Sequence, residues 1–143
     1  MSVERATQVT PELLDALQRL LPQLSPGRTV PTTVQLKELL DAHGSTLLVV
    51  RDDEGRIVGT LTLVVFRTTT ELRARIEDVV VEDSARGKGL GEQLVREALR
   101  VAQERGARSV NLTSRPDREA ANRLYARVGF EQRETNVYTY TLE

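Results

Sequence analysis

Residues Val79 to Gly91 read Val-Val-Val-Glu-Asp-Ser-Ala-Arg-Gly-Lys-Gly-Leu-Gly. An apolar run passes into a glycine-rich turn. The pattern Leu90, Leu94, Val95, Ala98, Leu99, Val101, Ala102 follows at once. That spacing predicts a strand, a loop and an amphipathic helix. Such an order presents backbone N–H groups and a helix N-terminus to an anion, and both favour phosphate. Gly87, Gly89 and Gly91 permit backbone conformations that other residues avoid and a close approach to a ligand. The stretch predicts a phosphate-bearing cofactor held between a strand end and a helix start.

Two common phosphate loops do not fit. The Walker A pattern ends in Gly-Lys followed by Ser or Thr. Here Gly87-Lys88 is followed by Gly89, so no hydroxyl is offered to magnesium. The dinucleotide pattern Gly-x-Gly-x-x-Gly also fails, because Gly91 comes one residue early. That motif would moreover stand near the start of its domain, whereas this loop lies past mid-chain.

The chain has 143 residues, 39% of them hydrophobic, which suits one domain, 1–143, with a sizeable core. A net charge of −1 lacks the electrostatic footprint of a general nucleic-acid binder. With no cysteine there is no disulfide, no thiolate metal site and no cysteine acyl-enzyme. The one histidine, His43, makes no metal cluster alone, so no metal is expected. No apolar run is long enough to span a membrane, and Met1-Ser-Val-Glu-Arg does not begin a signal peptide. A cytoplasmic protein is the expectation, with neither nucleic acid nor membrane as partner.

Residues 3–9 read as a first strand. Thr10-Pro11-Glu12 supplies an N-cap, a proline at the first helical position and an acid in the first turn. Leu13, Leu14, Leu17, Leu20 and Leu21 then follow at helical spacing. Residues 22–31 read as a breaker-rich loop containing Ser25-Pro26-Gly27. Thr32 or Thr33 caps a second helix that ends near His43-Gly44. Strands are predicted at 46–51, 56–67 and 72–82, with Asp52-Asp53-Glu54-Gly55 as a hairpin turn. Simple alternation puts Ile76, Asp78, Val80 and Glu82 on one face of the third, and Glu77, Val79 and Val81 on the other. A strand at 108–113 follows the long helix and implies parallel pairing through a right-handed crossover. Ser114 is expected to cap a helix that Gly129 closes, and 137–142 reads as a final alternating strand. The sum is a mixed α/β sheet with helices on both faces.

Three segments in this order carry a resemblance. Ile76-Glu-Asp-Val-Val-Val81, then Arg86-x-x-Gly89-x-Gly91, then Glu119-Ala-Ala-Asn122-Arg-Leu-Tyr125-Ala-Arg-Val-Gly129-Phe130 resemble the GNAT superfamily of acyl-CoA-dependent N-acetyltransferases. The match is specific from Ile76 to Phe130 and compatible from Leu47 to Phe66. The resemblance implies a central mixed sheet flanked by four helices, with acetyl-CoA as cofactor and an amine that attacks the thioester directly.

By the same resemblance, Arg86, Gly87, Lys88, Gly89, Leu90 and Gly91 hold the pyrophosphate. The backbone of Val79, Val80 and Val81 pairs with the pantetheine arm and polarises the acyl carbonyl. Asn122 contacts the coenzyme A arm, and Tyr125 protonates the departing thiolate. Glu77 is the candidate base that takes a proton from the acceptor amine. Thr113, Ser114 and Arg115, at a strand end, are candidates to touch the acceptor or the cofactor arm.

Plain structural roles stand beside each of these: a tight turn for 86–91, a buried strand for 79–81, a core-edge Tyr125, and a Glu77 paired with Arg73 or Arg75. The acceptor stays open among peptide N-termini, lysine side chains, polyamines, small amines and a phosphosugar. The run 76–81 is similar to strands of glucosamine-6-phosphate N-acetyltransferases but too short to assign a substrate. The competing class is a non-catalytic acyl-CoA-binding sensor or regulatory module. An ATP or NAD binder is the third. A homodimer through the C-terminal strand is an expectation from the family.

Overall fold

The computed structural model describes residues 2–25, 27 and 29–143. The chain divides into two compact units, with the boundary between Thr113 and Ser114. The first holds a five-stranded sheet in sequential order: β1 (Val3–Ala6), β2 (Ser45–Arg51), β3 (Ile57–Arg67), β4 (Leu72–Val81) and β5 (Val110–Asn111). The first four strands are antiparallel, and β5 joins β4 in parallel. Three helices belong to this unit: α1 (Pro11–Leu24), α2 (Thr33–Asp41) and α3 (Leu90–Glu104).

The helix starts follow their caps. The Leu13 N–H donates to Thr10 Oγ1 at 3.1 Å, and Pro11 opens α1 where its missing N–H costs nothing. At α2 the bonding is reciprocal: the Gln35 N–H donates to Thr32 Oγ1 and the Thr32 N–H to Gln35 Oε1, at 3.1 and 3.0 Å. The hairpin turn is drawn in by Asp52, whose carboxylate accepts from the Arg56 and Glu54 N–H groups. Those bonds hold it below the usual carboxylate range.

Helices cover both faces of the sheet. On one, Leu13, Ala16, Leu17 and Leu20 of α1 and Leu36 of α2 pack with Leu47, Val49 and Val80. On the other lies α3, with Leu90, Leu94, Val95 and Ala98 buried. Gly59 of β3 permits that approach: a Cβ there would stand 2.8 Å from Val50 Cγ1 and 3.2 Å from Leu94 Cδ1. No helix among the described residues is long and apolar enough to cross a membrane.

The second unit contains α4 (Glu119–Val128). Gly129, at φ 121°, ends it by donating to the Tyr125 and Ala126 carbonyls. The Tyr125 and Phe130 rings pack edge to face, 5.8 Å between centroids.

Several expectations need correction. β1 stops at Ala6, where its pairing with β2 ends. Helix α1 runs through Pro22 to Leu24, because near a helix end the ring removes one bond while Leu21 and Leu24 still pack on the core. Within the expected loop at 22–31, Pro26 and Arg28 lie outside the described residues. β5 is two residues long rather than six. α4 begins at Glu119 after Arg118, without a side-chain cap, so Ser114 does not start it. Residues 137–142 form no strand: Val137, Tyr138, Tyr140 and Leu142 are all exposed. Alternation makes a segment fit for a sheet, but pairing still requires a free edge.

Candidate functional site

β4 is irregular at its centre. Thr62 pairs with Glu77 and Thr60 with Val80, so Asp78 and Val79 stand opposite the single residue Leu61. This is a β-bulge. Asp78 takes φ +51°, a left-handed conformation that aspartate tolerates better than most residues. The bulge resets the alternation, so Val80 joins Glu77 on the face of α1 and α2 instead of sharing a face with Ile76.

The opposite edge of β4 parts from its neighbour. The register with β5 covers Ala74–Val110 and Arg75–Asn111 only. From Ile76 to Val81 that edge has no strand beside it among the described residues. The parted edge and the bulge coincide, so the backbone of Val79 to Val81 is available to a ligand on that side.

The strand then delivers the chain into the glycine loop. The Glu82 N–H still pairs with the Val58 carbonyl at 2.8 Å. A single turn at Asp83–Ala85 follows, and Gly87 and Gly89 sit at φ 84° and 76°. A Cβ at either would meet nothing within 4 Å, so the space before both glycines is open. Gly89 is the N-cap of α3 and offers no side-chain bond. The first bond of the helix runs from Gln93 N–H to Gly89 O, leaving the Leu90 and Gly91 amides with no carbonyl behind them. An open glycine cradle before unused helix amides is the chemistry a pyrophosphate requires. Arg86 pairs with Asp83 at 3.0 Å, at the surface.

Side chains that the sequence did not single out hold this loop. Arg19 of α1 donates to Glu82 Oε1 and to the Ile57 carbonyl, both at 3.1 Å. Gln23, one helical turn on, accepts the Asp83 N–H at 3.0 Å. Arg56 also reaches Glu82, at 3.4 Å. These partners lie up to 63 residues apart, so no local signal marks them.

A cavity of about 240 Å³ lies among α1, α2 and the sheet. Leu17, Leu21 and Leu36 give it apolar walls. Thr60, Thr62 and Asp78 bring it polar atoms. Glu77 is the register partner of Thr62, and its carboxylate accepts from Arg75 Nε at 3.0 Å. The expected pairing of Glu77 with a neighbouring arginine is therefore present.

The remaining expected residues belong to the second unit. Tyr125 is 9% exposed, and burial pushes its phenol above the usual range, offset in part by Arg118. At neutral pH it is a phenol and not a phenolate. Asn122 Nδ2 donates to the Arg115 and Arg118 carbonyls at 2.9 and 2.8 Å and ties the approach of α4 to its first turn. Ser114 Oγ is buried without a hydrogen-bond partner among the described residues, and Thr113 and Arg115 are exposed.

Comparison with known proteins fits this geometry. The sequence model of the Acetyltransferase (GNAT) family matches residues 11–130. A rice (Oryza sativa subsp. japonica) protein, glucosamine 6-phosphate N-acetyltransferase 1, is 31% identical over 129 residues, covering 85% of this chain and 76% of its own. A putative acetyltransferase from Agrobacterium tumefaciens superposes with a TM-score of 0.83 at 28% identity, over 99% of this chain and 100% of that one. A structure described as a transcriptional regulator, from Bacillus halodurans, superposes with a TM-score of 0.79 at 26% identity, over 97% of this chain and 99% of that one.

Proposed function

The chain belongs to the GNAT acetyltransferase family, and on that premise we propose that it transfers an acetyl group from acetyl-CoA to a primary amine by direct attack. The observation that carries this is the parting of β4 from β5 beside the bulge, on a strand that runs straight into the open glycine loop. Residues 1–143 are read as one catalytic domain. A cytoplasmic location is part of the same reading.

Bound acetyl-CoA supplies an activated acetyl thioester. Arg86, Gly87, Lys88, Gly89, Leu90 and Gly91 hold its pyrophosphate, through amides and positive charge. The Val79, Val80 and Val81 backbone orients the pantetheine arm and draws electron density from the acyl carbonyl. Asn122 is assigned to the same arm through its side-chain oxygen, since its nitrogen is engaged. Tyr125 gives its phenolic proton to the leaving sulfur, and its raised pKa keeps that proton available. Glu77 takes the acceptor's proton, directly or through water. Its support is its place opposite Thr62, which lines the cavity.

Titration calorimetry with acetyl-CoA, ATP and NAD tests this. Saturable one-site binding of acetyl-CoA alone is the expected result. No acetyl-CoA binding by folded protein would leave the glycine loop a plain turn.

A second reading is a regulatory module that binds acyl-CoA without turnover, favoured by the likeness to the structure described as a transcriptional regulator. Tyr125→Phe separates the two, because it alters turnover and not binding. On the family premise we also propose that two copies pair through 137–142, whose exposed Tyr138, Tyr140 and Leu142 would then be covered.

A further inference from the structure

We infer that Gln23 is a positioning residue for acetyl-CoA: it fixes the entry of the glycine loop, so that the loop meets the pyrophosphate already ordered. The inference rests on the acetyltransferase reading above and adds to it a residue of α1. Gly87 and Gly89, both at positive φ with open space before them, do not set the path of the loop by themselves. The loop's own bonds are short in range: the Ala85 N–H donates to the Glu82 carbonyl and the Arg86 N–H to the Asp83 carbonyl, at 2.9 and 3.3 Å. Among the described residues, the one hydrogen bond that ties the backbone of 83–88 to a distant part of the chain runs from the Asp83 N–H to Gln23 Oε1, at 3.0 Å.

The Gln23 amide is held at both ends. Its nitrogen donates to the Arg19 carbonyl at 3.1 Å, which turns its oxygen toward the Asp83 N–H. An amide oxygen also accepts without a full charge. Glu82 and Asp83 already place two carboxylates at the entry of the loop, and a third would oppose an incoming pyrophosphate. Arg19 acts one residue earlier, on the Glu82 side chain and the Ile57 carbonyl, and not on the turn itself. On the same reading the cavity walled by Leu17 and Leu21 receives the acceptor. Those leucines share α1 with Gln23, so one helix bounds the acceptor's space and holds the cofactor's loop. A loop ordered in advance loses less conformational entropy on binding, and the gain falls on the pyrophosphate.

The test measures calorimetric binding of acetyl-CoA, and of S-acetylpantetheine as a probe without pyrophosphate, to the whole protein. Gln23→Met removes the accepting oxygen at an exposed position, so the fold is expected to stay, which a thermal melt checks. It should weaken acetyl-CoA about threefold to tenfold, the worth of one hydrogen bond, and leave S-acetylpantetheine as in wild type. Gln23→Glu keeps an accepting oxygen. At high salt, which screens its added charge, it should bind acetyl-CoA as wild type does under the same conditions. Both variants lose the bond to the Arg19 carbonyl, so the pair isolates the bond to Asp83. Equal losses of the two thioesters in Gln23→Met, no loss of either, or a glutamate variant that fails as the methionine variant does overturns the inference and leaves the acetyltransferase reading standing. Wild type that binds neither thioester rejects that reading, and this inference with it.

Discussion

The glycine loop and the leucine-walled cavity flank one strand and are built from different materials. The loop at 86–91 presents backbone: open glycines, helix amides and two basic residues at its rim. The cavity presents side chains gathered from α1, α2, β2, β3 and β4. A site made of backbone suits a ligand that never changes, since amides are supplied by every residue and only the path must be right. A site made of side chains can be re-specified position by position while the loop stays as it is. On the proposed function, a loop of this kind keeps one cofactor while a cavity of this kind lets the acceptor differ.

The largest expected effect tests whether the cofactor half does chemistry. Tyr125→Phe should lower kcat by about a hundredfold or more, as loss of a general acid does, with acetyl-CoA affinity unchanged in calorimetry. Unchanged kcat would transfer the acid role elsewhere. Next comes the loop itself. Gly89→Val places a β-branched residue at φ 76° before α3, a strain of about 1–2 kcal/mol. Acetyl-CoA binding should weaken about tenfold or more, with the circular dichroism spectrum unchanged. Unchanged acetyl-CoA affinity would mean that the path of this loop does not hold the cofactor.

Arg19→Met sharpens the comparison from beneath. It removes the bonds from Arg19 to Glu82 and to the Ile57 carbonyl, and leaves Gln23 on the Asp83 N–H and Glu82 with Arg56. Stability should fall by about 1–3 kcal/mol in denaturant melts, and acetyl-CoA should weaken more than S-acetylpantetheine, which lacks the pyrophosphate. Equal losses for the two thioesters would show that Arg19 supports the fold and not the loop.

The smallest effect lies outside both regions. Glu12 is bonded to Arg51, and that bond holds its carboxyl below the usual range. A depressed pKa contributes stability above the ordinary carboxylate range and loses it as pH falls through the folded value. Glu12→Gln should lower the neutral-pH melting temperature slightly, match wild type in acid, and so flatten the acid side of the profile.

The two regions also differ in how far the sequence disclosed them. The loop was legible because its meaning is local: Gly87, Gly89 and the helix from Leu90 are contiguous. The cavity was not, because Leu17, Leu36 and Thr60 come together only after the chain folds. The bulge left no trace in a run of Glu, Asp and valines, since any of several positions there could take the extra residue. The residues that hold the loop, Arg19 and Gln23, sit on a helix whose leucine stripe drew attention to its other face. At 137–142 the alternating pattern misled, because a pattern states capacity and pairing needs a neighbour.

Asp78 has a consequence in the currency of codons. A single base change from an aspartate codon reaches glycine and asparagine, which accept φ +51° but carry no charge. Another reaches glutamate, which keeps the charge but resists that backbone. A drifting gene can thus preserve the shape of the bulge or the anion upon it, and aspartate is the residue that keeps both.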